Sequence, residues 1–487
     1  MTDDPAARPP AGEPPDPRRW KALWVCLVAG FMTLLDVSIV NVALPSIQSG
    51  VGATPSDLQW VVSGYALAFG LTLVPSGRIG DALGRRTVFV VGVVLFGLSS
   101  LACGLAPSAG LLVVARLVQG AAGGILNPQV SGLIQQLFRG AERGRAFGLL
   151  GATIGISTAV GPVVGGVLLD ALGPDAGWRW IFFVNLPVAA AAVVLAMHWL
   201  PDPPARARGR RIDVDPVGVL LLGAGVLGIL LPVVESGRDG STVPWWVGLG
   251  GAGFVAAFLA WERRYTDRGR EPLVDLSLFG VRGYPSGATV GTIYFGGFTG
   301  IFFVLTIHVQ QQLHYSPLLA GLTVTPFALG SAVTSALGGR LVSRYGRLLV
   351  TTGLIIVLVG VVAVDVTVTA ADGPDLGWWL AAPLLVAGVG SGLVISPNIT
   401  LAVDGVPVDR AGTAGGLLQT GQRIGTAMGI ALVGAVFYAG VTATGSGATG
   451  SGLDPGDALK VCAVLVTVAL AASLVDLRNR RRTRQPT

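Results

Sequence analysis

The ten residues Gly77-Arg78-Ile79-Gly80-Asp81-Ala82-Leu83-Gly84-Arg85-Arg86 form a charged, glycine-rich stretch between two apolar runs, 60–75 and 87–106. A similar stretch, Gly339-Arg340-Leu341-Val342-Ser343-Arg344-Tyr345-Gly346-Arg347, begins 262 residues later, at 339 instead of 77. Both copies read Gly-Arg-(Ile or Leu)-four residues-Gly-Arg. A charged turn that recurs between long apolar runs predicts a chain built from two related halves.

The composition is typical of a membrane protein. The 487 residues are 52% hydrophobic and 12% charged, and the mean hydropathy is +0.68. Soluble domains carry roughly 25% charged residues, so this chain lacks the polar surface that a soluble body of its size needs. The 72 glycines are consistent with helices that pack closely in a bilayer. The sequence therefore predicts an all-α polytopic membrane protein.

Fourteen apolar segments are long enough to be membrane spans of about 20 residues. They are 22–47, 58–77, 87–106, 110–134, 146–170, 180–199, 215–234, 245–262, 286–308, 317–338, 348–370, 378–402, 413–440 and 458–477. With this layout, 28 of the 33 Lys and Arg residues fall on one side of the membrane and 3 on the other. The positive-inside rule makes the basic side cytoplasmic, together with both termini.

The two copies of the charged turn follow predicted spans 2 and 10. An offset of eight spans indicates two six-span halves with two extra spans between them. The predicted segments are a disordered cytoplasmic tail (1–19), an N-terminal six-helix bundle (20–200), a basic linker with two inserted helices and a cytoplasmic loop (201–284), a C-terminal six-helix bundle (285–477) and a basic cytoplasmic tail (478–487).

Several classes of function are excluded by the residues. The net charge of +6 comes from short loops between apolar runs, which indicates membrane orientation and not nucleic-acid binding. The three cysteines lie in apolar runs without metal or disulfide spacing, and no metal site is expected. No P-loop lysine motif and no nucleophile–base pattern occurs. We therefore expect no enzyme activity, no cofactor and no use of ATP.

Four motifs carry a resemblance to a known family. The first is Gly77 to Arg86, and the others are Leu35-Asp36-Val37-Ser38-Ile39-Val40-Asn41-Val42-Ala43-Leu44-Pro45, Arg116-Leu117-Val118-Gln119-Gly120, and Gly151 and Gly155 with Gly161-Pro162-Val163-Val164-Gly165-Gly166. With these motifs the chain resembles the major facilitator superfamily, in particular the fourteen-span drug:proton antiporters of the QacA/EmrB type. The match covers nearly the whole membrane region.

The resemblance implies a fold of two six-helix bundles with two extra helices between them. It also implies a monomer in a bacterial plasma membrane that exports amphipathic drug-like molecules by alternating access, driven by the proton gradient. The residues leave two alternatives open: export of a single metabolite made by the cell, and import of a solute. The span-5 glycine motif favours export.

Asp36 is the main candidate for the coupling or substrate site. It lies about 14 residues into span 1, roughly 21 Å from the cytoplasmic end. An ionisable residue at that depth is expensive and usually functional. A proton or a cationic substrate could neutralise it, and competition between the two is a simple basis for exchange. The alternative is that Asp36 only pairs with a neighbouring helix.

Three further residues are predicted to act with Asp36. Arg116 enters span 4 from the other side, roughly 9 Å deep, so a pair with Asp36 across neighbouring helices is feasible. The resemblance gives the matching arginine a part in proton movement, whereas the alternative is an arginine that reaches the outer headgroups. Gln119 lies one turn further along the same span, and Asn41 belongs to the span-1 motif.

The charged stretch itself is predicted to be a conformational latch. Asp81 could accept from the positive end of a facing helix, which the resemblance identifies as span 13. Arg85 and Arg86 could pair with acidic or carbonyl groups nearby. The latch set comprises Gly77, Arg78, Asp81, Gly84, Arg85 and Arg86, and the alternative is that its arginines only set orientation. The second copy has Ser343 in place of the aspartate, so its latch should be weaker or absent.

Two other groups complete the candidates. In span 5, Gly151 and Gly155, and Gly161 and Gly165, are four residues apart, which places smooth patches on a helix face, and Pro162 permits a kink. With Gly166 they are predicted to form a hinge and seal between the halves, or simply a close packing contact. In span 13, Gln419, Gln422 and Arg423 are candidate substrate contacts, and the alternatives are that Arg423 pairs with an acid or serves only packing.

Overall fold

The structure is a computed structural model that describes residues 17–138, 140–201, 215–235, 243–270, 272–371, 373, 375–406, 411–443 and 455–482. The described residues form fifteen α-helices. They are α1 (Arg19–Val51), α2 (Pro55–Leu83), α3 (Arg85–Leu105), α4 (Ala109–Leu137), α5 (Gly140–Leu172), α6 (Pro174–Phe183), α7 (Asn185–Trp199), α8 (Pro216–Glu235), α9 (Trp246–Asp267), α10 (Tyr284–Gln311), α11 (Pro317–Tyr345), α12 (Arg347–Ala370), α13 (Leu376–Val403), α14 (Ala411–Ala443) and α15 (Pro455–Arg482). Most of the tail over 1–19, the linker over 202–214 and the chain end over 483–487 lie outside the described residues.

The helices make fourteen passes, because α6 and α7 are separated only by Val184 and cross together. Among the described residues, eleven segments are long and apolar enough to span a membrane. Helices α5, α9 and α14, with 33, 22 and 33 residues, are long enough to make the other three passes. The predicted all-α polytopic fold is confirmed.

The charged stretch turns only at Gly84 and is otherwise helical, so the predicted end of span 2 at residue 77 was wrong. Helix α2 continues to Leu83 and α3 starts at Arg85, which leaves only Gly84 between them, at φ 94°. Gly346, at φ 53°, separates α11 from α12 in the same way. Both positions need the backbone freedom of glycine. We call the end of the molecule that carries these two junctions the arginine-rich end, and the other the opposite end.

Helices α1–α7 form the first half of the molecule and α10–α15 form the second. In the first half α2 packs on α4, and in the second half α11 packs on α13. Two glycines make these contacts close. A β-carbon on Gly120 would lie 2.3 Å from the carbonyl oxygen of Tyr65, and one on Gly388 would lie 2.1 Å from that of Phe327. The two halves meet mainly where α2 contacts α14 and where α5 contacts α11.

The two extra helices pack on each other, and α8 also packs on α2 and α14. At the opposite end, Glu235 of α8 accepts hydrogen bonds from Ser56 Oγ (2.7 Å) and Trp60 Nε1 (3.4 Å) of α2. The segment between α9 and α10 contains a 3-10 helix at Leu276–Gly280. This segment leads into the second half.

Candidate functional site

Asp36 and Arg116 form an ion pair inside the first half. Arg116 Nη1 lies 2.6 Å from Asp36 Oδ2, and the side chains are 1% and 0% exposed. Asp36 is in the middle of α1 and Arg116 is in the second turn of α4. The arginine therefore does not reach toward the headgroups, as the alternative interpretation required. A buried pair of this kind is stable only when the remaining polar atoms also have partners.

Three uncharged side chains provide those partners. Gln119 Nε2 and Asn185 Nδ2 each donate to Asp36 Oδ1 at 2.9 Å, and Arg116 Nη1 also donates to Gln119 Oε1 at 2.7 Å. Ser100 Oγ accepts from Gln119 (3.1 Å) and from Asn185 (3.0 Å). All five side chains are buried. We call Asp36, Ser100, Arg116, Gln119 and Asn185 the carboxylate network.

Helix geometry supplies further partners to this network. Asn185 is the first residue of α7, directly after the break at Val184, and Ser100 Oγ donates to the carbonyl of Phe182 beside that break (2.9 Å). Arg116 Nε donates to the carbonyl of Val61 on α2 at 3.1 Å. Asp36 thus accepts from three side chains, a pattern that suits an ionised carboxylate.

Aromatic rings connect the network to the second half. The guanidinium of Arg116 lies 4.2 Å from the ring centroid of Tyr65, and the Tyr65 and Phe69 rings are 6.1 Å apart. The guanidinium of Arg423, on α14, lies 4.2 Å from the ring of Phe69. We call Arg116, Tyr65, Phe69 and Arg423 the cation–aromatic ladder, which crosses from α4 through α2 to α14.

The other predicted substrate contacts lie outside the network. Asn41 is half-buried one and a half turns beyond Asp36 and is not among the partners of the carboxylate. Gln422 is buried close to Gly291 of α10, and Gln419 is half-buried. Of the three span-13 candidates, only Arg423 connects to the network, and it does so through the ladder.

The arginines of the charged stretch bind carbonyl groups. Arg85 Nη1 donates to Pro128 O at 3.2 Å and Arg86 Nη2 donates to Met197 O at 2.6 Å, both within the first half. Arg78 donates to the carbonyl of Pro272, in the segment that leads to the second half. The side chain of Asp81 lies outside what the structure describes, so a latch between Asp81 and α14 stays a prediction.

The span-5 motif lies in α5 and forms close contacts with two other helices. β-Carbons on Gly161 and Gly165 would lie 2.4 Å from Ser38 Cβ and 2.9 Å from Ile39 Cγ1, on α1. One on Gly166 would lie 2.3 Å from the Cα of Leu318 on α11. The first two glycines therefore pack within the first half, whereas Gly166 contacts the second. Gly151 and Gly155 lie in the same helix, nearer the arginine-rich end.

Hydrogen bonds reinforce the contact between the halves at the opposite end. Gln310 Nε2 donates to the carbonyl of Val42 at 2.7 Å, and Gln311 Nε2 donates to Gln48 Oε1 at 2.6 Å. These bonds join the last turns of α10 to α1. Together with Gly166 they bring the two halves into direct contact at this end.

Comparison with known proteins places this geometry in context. The chain matches the Major Facilitator Superfamily over residues 26–430. It is 37% identical to the puromycin resistance protein pur8 of Streptomyces alboniger, over 96% of this chain and 93% of the relative, and 36% identical to a probable actinorhodin transporter of Streptomyces coelicolor, over 88% and 74%. A bacterial homologue of the lysosomal transporter Spinster, solved in an inward-facing and occupied conformation, aligns with a TM-score of 0.67 at 15% identity, covering 98% of this chain and 100% of that one. At that identity, the structural likeness concerns the fold.

Proposed function

Because this multi-pass membrane chain belongs to the Major Facilitator Superfamily, we propose that it exports drug-like small molecules in exchange for protons by alternating access. A member of this family is a transporter and not an enzyme. The names of the two Streptomyces relatives, which refer to puromycin resistance and to actinorhodin transport, support cargo that is antibiotic-like and partly apolar. We propose a monomer in a bacterial plasma membrane, with the arginine-rich end and both termini on the cytoplasmic side.

The carboxylate network is the observation that carries proton coupling. Asp36 is fully buried and its charge is balanced by Arg116. A proton on Asp36 removes the charge that attracts Arg116, so the guanidinium then depends on its bonds to Gln119 and to Val61 O and on the Tyr65 ring. Protonation therefore changes the forces on α1 and α4 at the same time.

The cation–aromatic ladder supports a route from the network to the second half. A shift of Arg116 changes the contact with Tyr65, which stands beside Phe69, and Phe69 is in contact with Arg423 of α14. In this mechanism the proton at Asp36 biases the α2–α14 contact between the halves.

A second candidate is an exporter dedicated to one compound made by the cell. The relative named as a probable actinorhodin transporter favours it, since that name specifies a single antibiotic. Resistance profiles of a pump-deleted host that expresses this chain separate the two candidates. Protection against many unrelated compounds supports the multidrug exporter, and protection against a single compound supports the dedicated one.

The test of coupling is transport of labelled puromycin in proteoliposomes with and without an imposed pH gradient. We expect gradient-driven transport by the wild type, and loss of that transport in Asp36→Asn with exchange of cargo for cargo retained. Asp457→Asn is the matched control, because Asp457 is an exposed acid on α15. Gradient-driven transport by Asp36→Asn at the wild-type rate would exclude Asp36 from the mechanism. Wild-type transport that continues unchanged after the pH gradient is collapsed would exclude coupling to protons.

The direction of transport is tested in the same vesicles. Consider molecules whose cytoplasmic side faces the bath. If the protein is an exporter, the vesicle accumulates cargo when the gradient drives protons out of the vesicle through these molecules. Accumulation only with the reverse gradient, where protons and cargo move together, would instead indicate an importer.

A further inference from the structure

Two buried acids lie between the extra helices at the arginine-rich end. Asp215 immediately precedes α8 and Glu262 is in the last turns of α9, and both residues are 0% exposed. Asp215 Oδ1 accepts from Gly218 N (3.0 Å) and from Trp261 Nε1 (2.8 Å). Glu262 Oε2 accepts from Val274 N (2.9 Å). One oxygen of each carboxyl group is thereby fixed in place.

The other two oxygens face each other without partners. Asp215 Oδ2 and Glu262 Oε1 are buried and accept no hydrogen bond from the described residues. Both approach the position that a β-carbon on Gly218 would occupy, at 2.2 and 2.7 Å. They therefore lie within about 5 Å of each other, where two like charges disfavour ionisation of both groups. The absence of a side chain at Gly218 leaves room for this approach.

Within the part of the chain that the structure describes, no side chain donates a hydrogen bond to either of these two oxygens. Arg78 of α2 contributes positive charge nearby, and its guanidinium donates a hydrogen bond to the carbonyl of Pro272. Arg263 and Arg264 follow on α9 and are exposed. Asp275, in the segment before α10, adds a negative charge and accepts from Ser277. Two ionised carboxylates would be costly in this setting, whereas a single shared proton supplies the missing hydrogen bond.

We propose that Asp215 and Glu262 form a second proton-binding site, which holds one proton between their two unpartnered oxygens. The site is distinct from Asp36, because it lies in the extra helices at the arginine-rich end. Its ligand is a proton that joins an acid to a carboxylate, so no other molecule is required. The inference does not depend on the cargo, the direction of transport or coupling at Asp36.

The shared proton connects the start of α8 to α9, and α9 is connected in turn to the charged stretch through the segment that follows it. Glu262 holds the backbone of Val274, and two residues earlier the carbonyl of Pro272 receives Arg78. Loss of the proton leaves two negative charges facing each other and forces the carboxyl groups apart. An alkaline cytoplasmic side would therefore loosen the contact of α8 and α9 with the segment that Arg78 holds.

Infrared spectroscopy of the purified full chain tests the site directly. At neutral pH we expect the wild type to show the carbonyl band of a protonated carboxyl group. This band should disappear in Asp215→Asn and in Glu262→Gln, because the new amide donates the hydrogen bond that the shared proton supplied and the remaining carboxyl group then ionises. Asp457→Asn, the exposed acid on α15, should retain the band. A band of equal strength in the wild type and both amide variants would overturn the proposal.

Thermal unfolding at a series of pH values gives an independent readout. The folded chain holds a proton that the unfolded chain releases at neutral pH, so a rise in pH favours unfolding, by up to about tenfold in the folded-to-unfolded ratio per pH unit. We expect the wild-type melting temperature to fall toward alkaline pH more steeply than that of Asp215→Asn/Glu262→Gln, in which two amides can hydrogen-bond to each other. Parallel pH profiles for these two proteins would contradict a shared proton.

Discussion

The two halves of the molecule use the same backbone contacts to carry different chemistry. Between α2 and α4, a β-carbon on Gly124 would lie 2.1 Å from Thr72 Oγ1, and between α11 and α13 one on Gly392 would lie 2.1 Å from Thr334 Oγ1. Both threonines donate to a carbonyl of the facing helix, Thr72 to Ala121 O and Thr334 to Val389 O. The packing of helix against helix is thus repeated in detail.

The side chains beside these contacts are not repeated. Arg116 precedes Gly120 by four residues, whereas the residue four before Gly388 is Leu384, which is fully buried. In the second half α10 and α11 instead contribute a chain of rings. They are Tyr294, Phe295, Phe298, Phe302 and Phe327, with neighbouring centroids 4.9–5.8 Å apart. The difference teaches that the packing sets the same frame in both halves, and we propose that charge in the first half and aromatic surface in the second divide the work of transport.

The largest effect should come from breaking the ion pair in the first half. Arg116→Leu leaves Asp36 buried without its cation, and we expect a loss of about 3–5 kcal/mol in unfolding free energy together with loss of gradient-driven transport. Addition of Asp36→Asn to that variant should restore much of the stability but not the coupling. Chemical denaturation and vesicle transport measure the two effects.

Arg347 provides the matched control in the second half. It is buried, lies 3.1 Å from Asp476 and donates to Asn398 at 2.7 Å. Since the side chain of Asp476 is 13% exposed, water can reach the carboxylate after Arg347→Leu. That variant should lose less stability than Arg116→Leu and keep its response to the pH gradient. Equal loss of coupling in both variants would contradict a division of work between the halves.

The close helix contacts should be equally sensitive in both halves. Gly120→Ala and Gly388→Ala each place a methyl group within 2.3 Å of a backbone oxygen, so the helices must separate. We expect each to cost about 1–3 kcal/mol, as overpacking does, with similar falls in melting temperature. Gly250→Ala, on α9 with nothing within 4 Å of the added carbon, is the control and should be neutral. A large effect in one half only would show that the repeat is not mechanically equivalent.

The smallest effect should appear at the rings of the second half. Phe298 is half-buried and stacks on Tyr294, with ring centroids 5.7 Å apart. We propose that this ring contacts cargo, so Phe298→Leu removes a ring contact worth about 1 kcal/mol, and we expect roughly fivefold weaker cargo binding with unchanged dependence on the gradient. Phe303→Leu, at a fully buried ring beside Tyr438, is the control. Binding is measured by titration of cargo into the purified protein, and equal affinities in the two variants would exclude Phe298 from the cargo surface.

The sequence contains enough to find the fold and the two charged members of the site. Apolar run lengths and the bias of arginines locate the passes, because a bilayer imposes both. The depths of Asp36 and Arg116 follow from helical rise alone. Asn185 was missed, although a polar residue in an apolar run is itself a signal of function. Ser100 could not have been found, since a serine in a membrane helix commonly bonds its own backbone.

The parts that the sequence does not predict depend on which distant segments meet. Asp215 and Glu262 are at the ends of apolar runs, where acids normally face water, and only the packing of α8 on α9 buries them. Arg347 has the same appearance in the sequence as the other loop arginines, yet it is buried beside Asp476. The helical state of residues 77–83 was also missed, because the glycines suggested a turn.

Helix α8 is held by α2 at Glu235 and also packs against α14 of the other half. Removal of α8 and α9 to make a shortened, twelve-pass transporter would therefore open apolar faces on both halves to lipid, opposite Leu222, Val226 and Leu230. Helices α8 and α9 are for this reason an integral part of the fold, and deletion of these two helices alone should not give a stable twelve-pass protein.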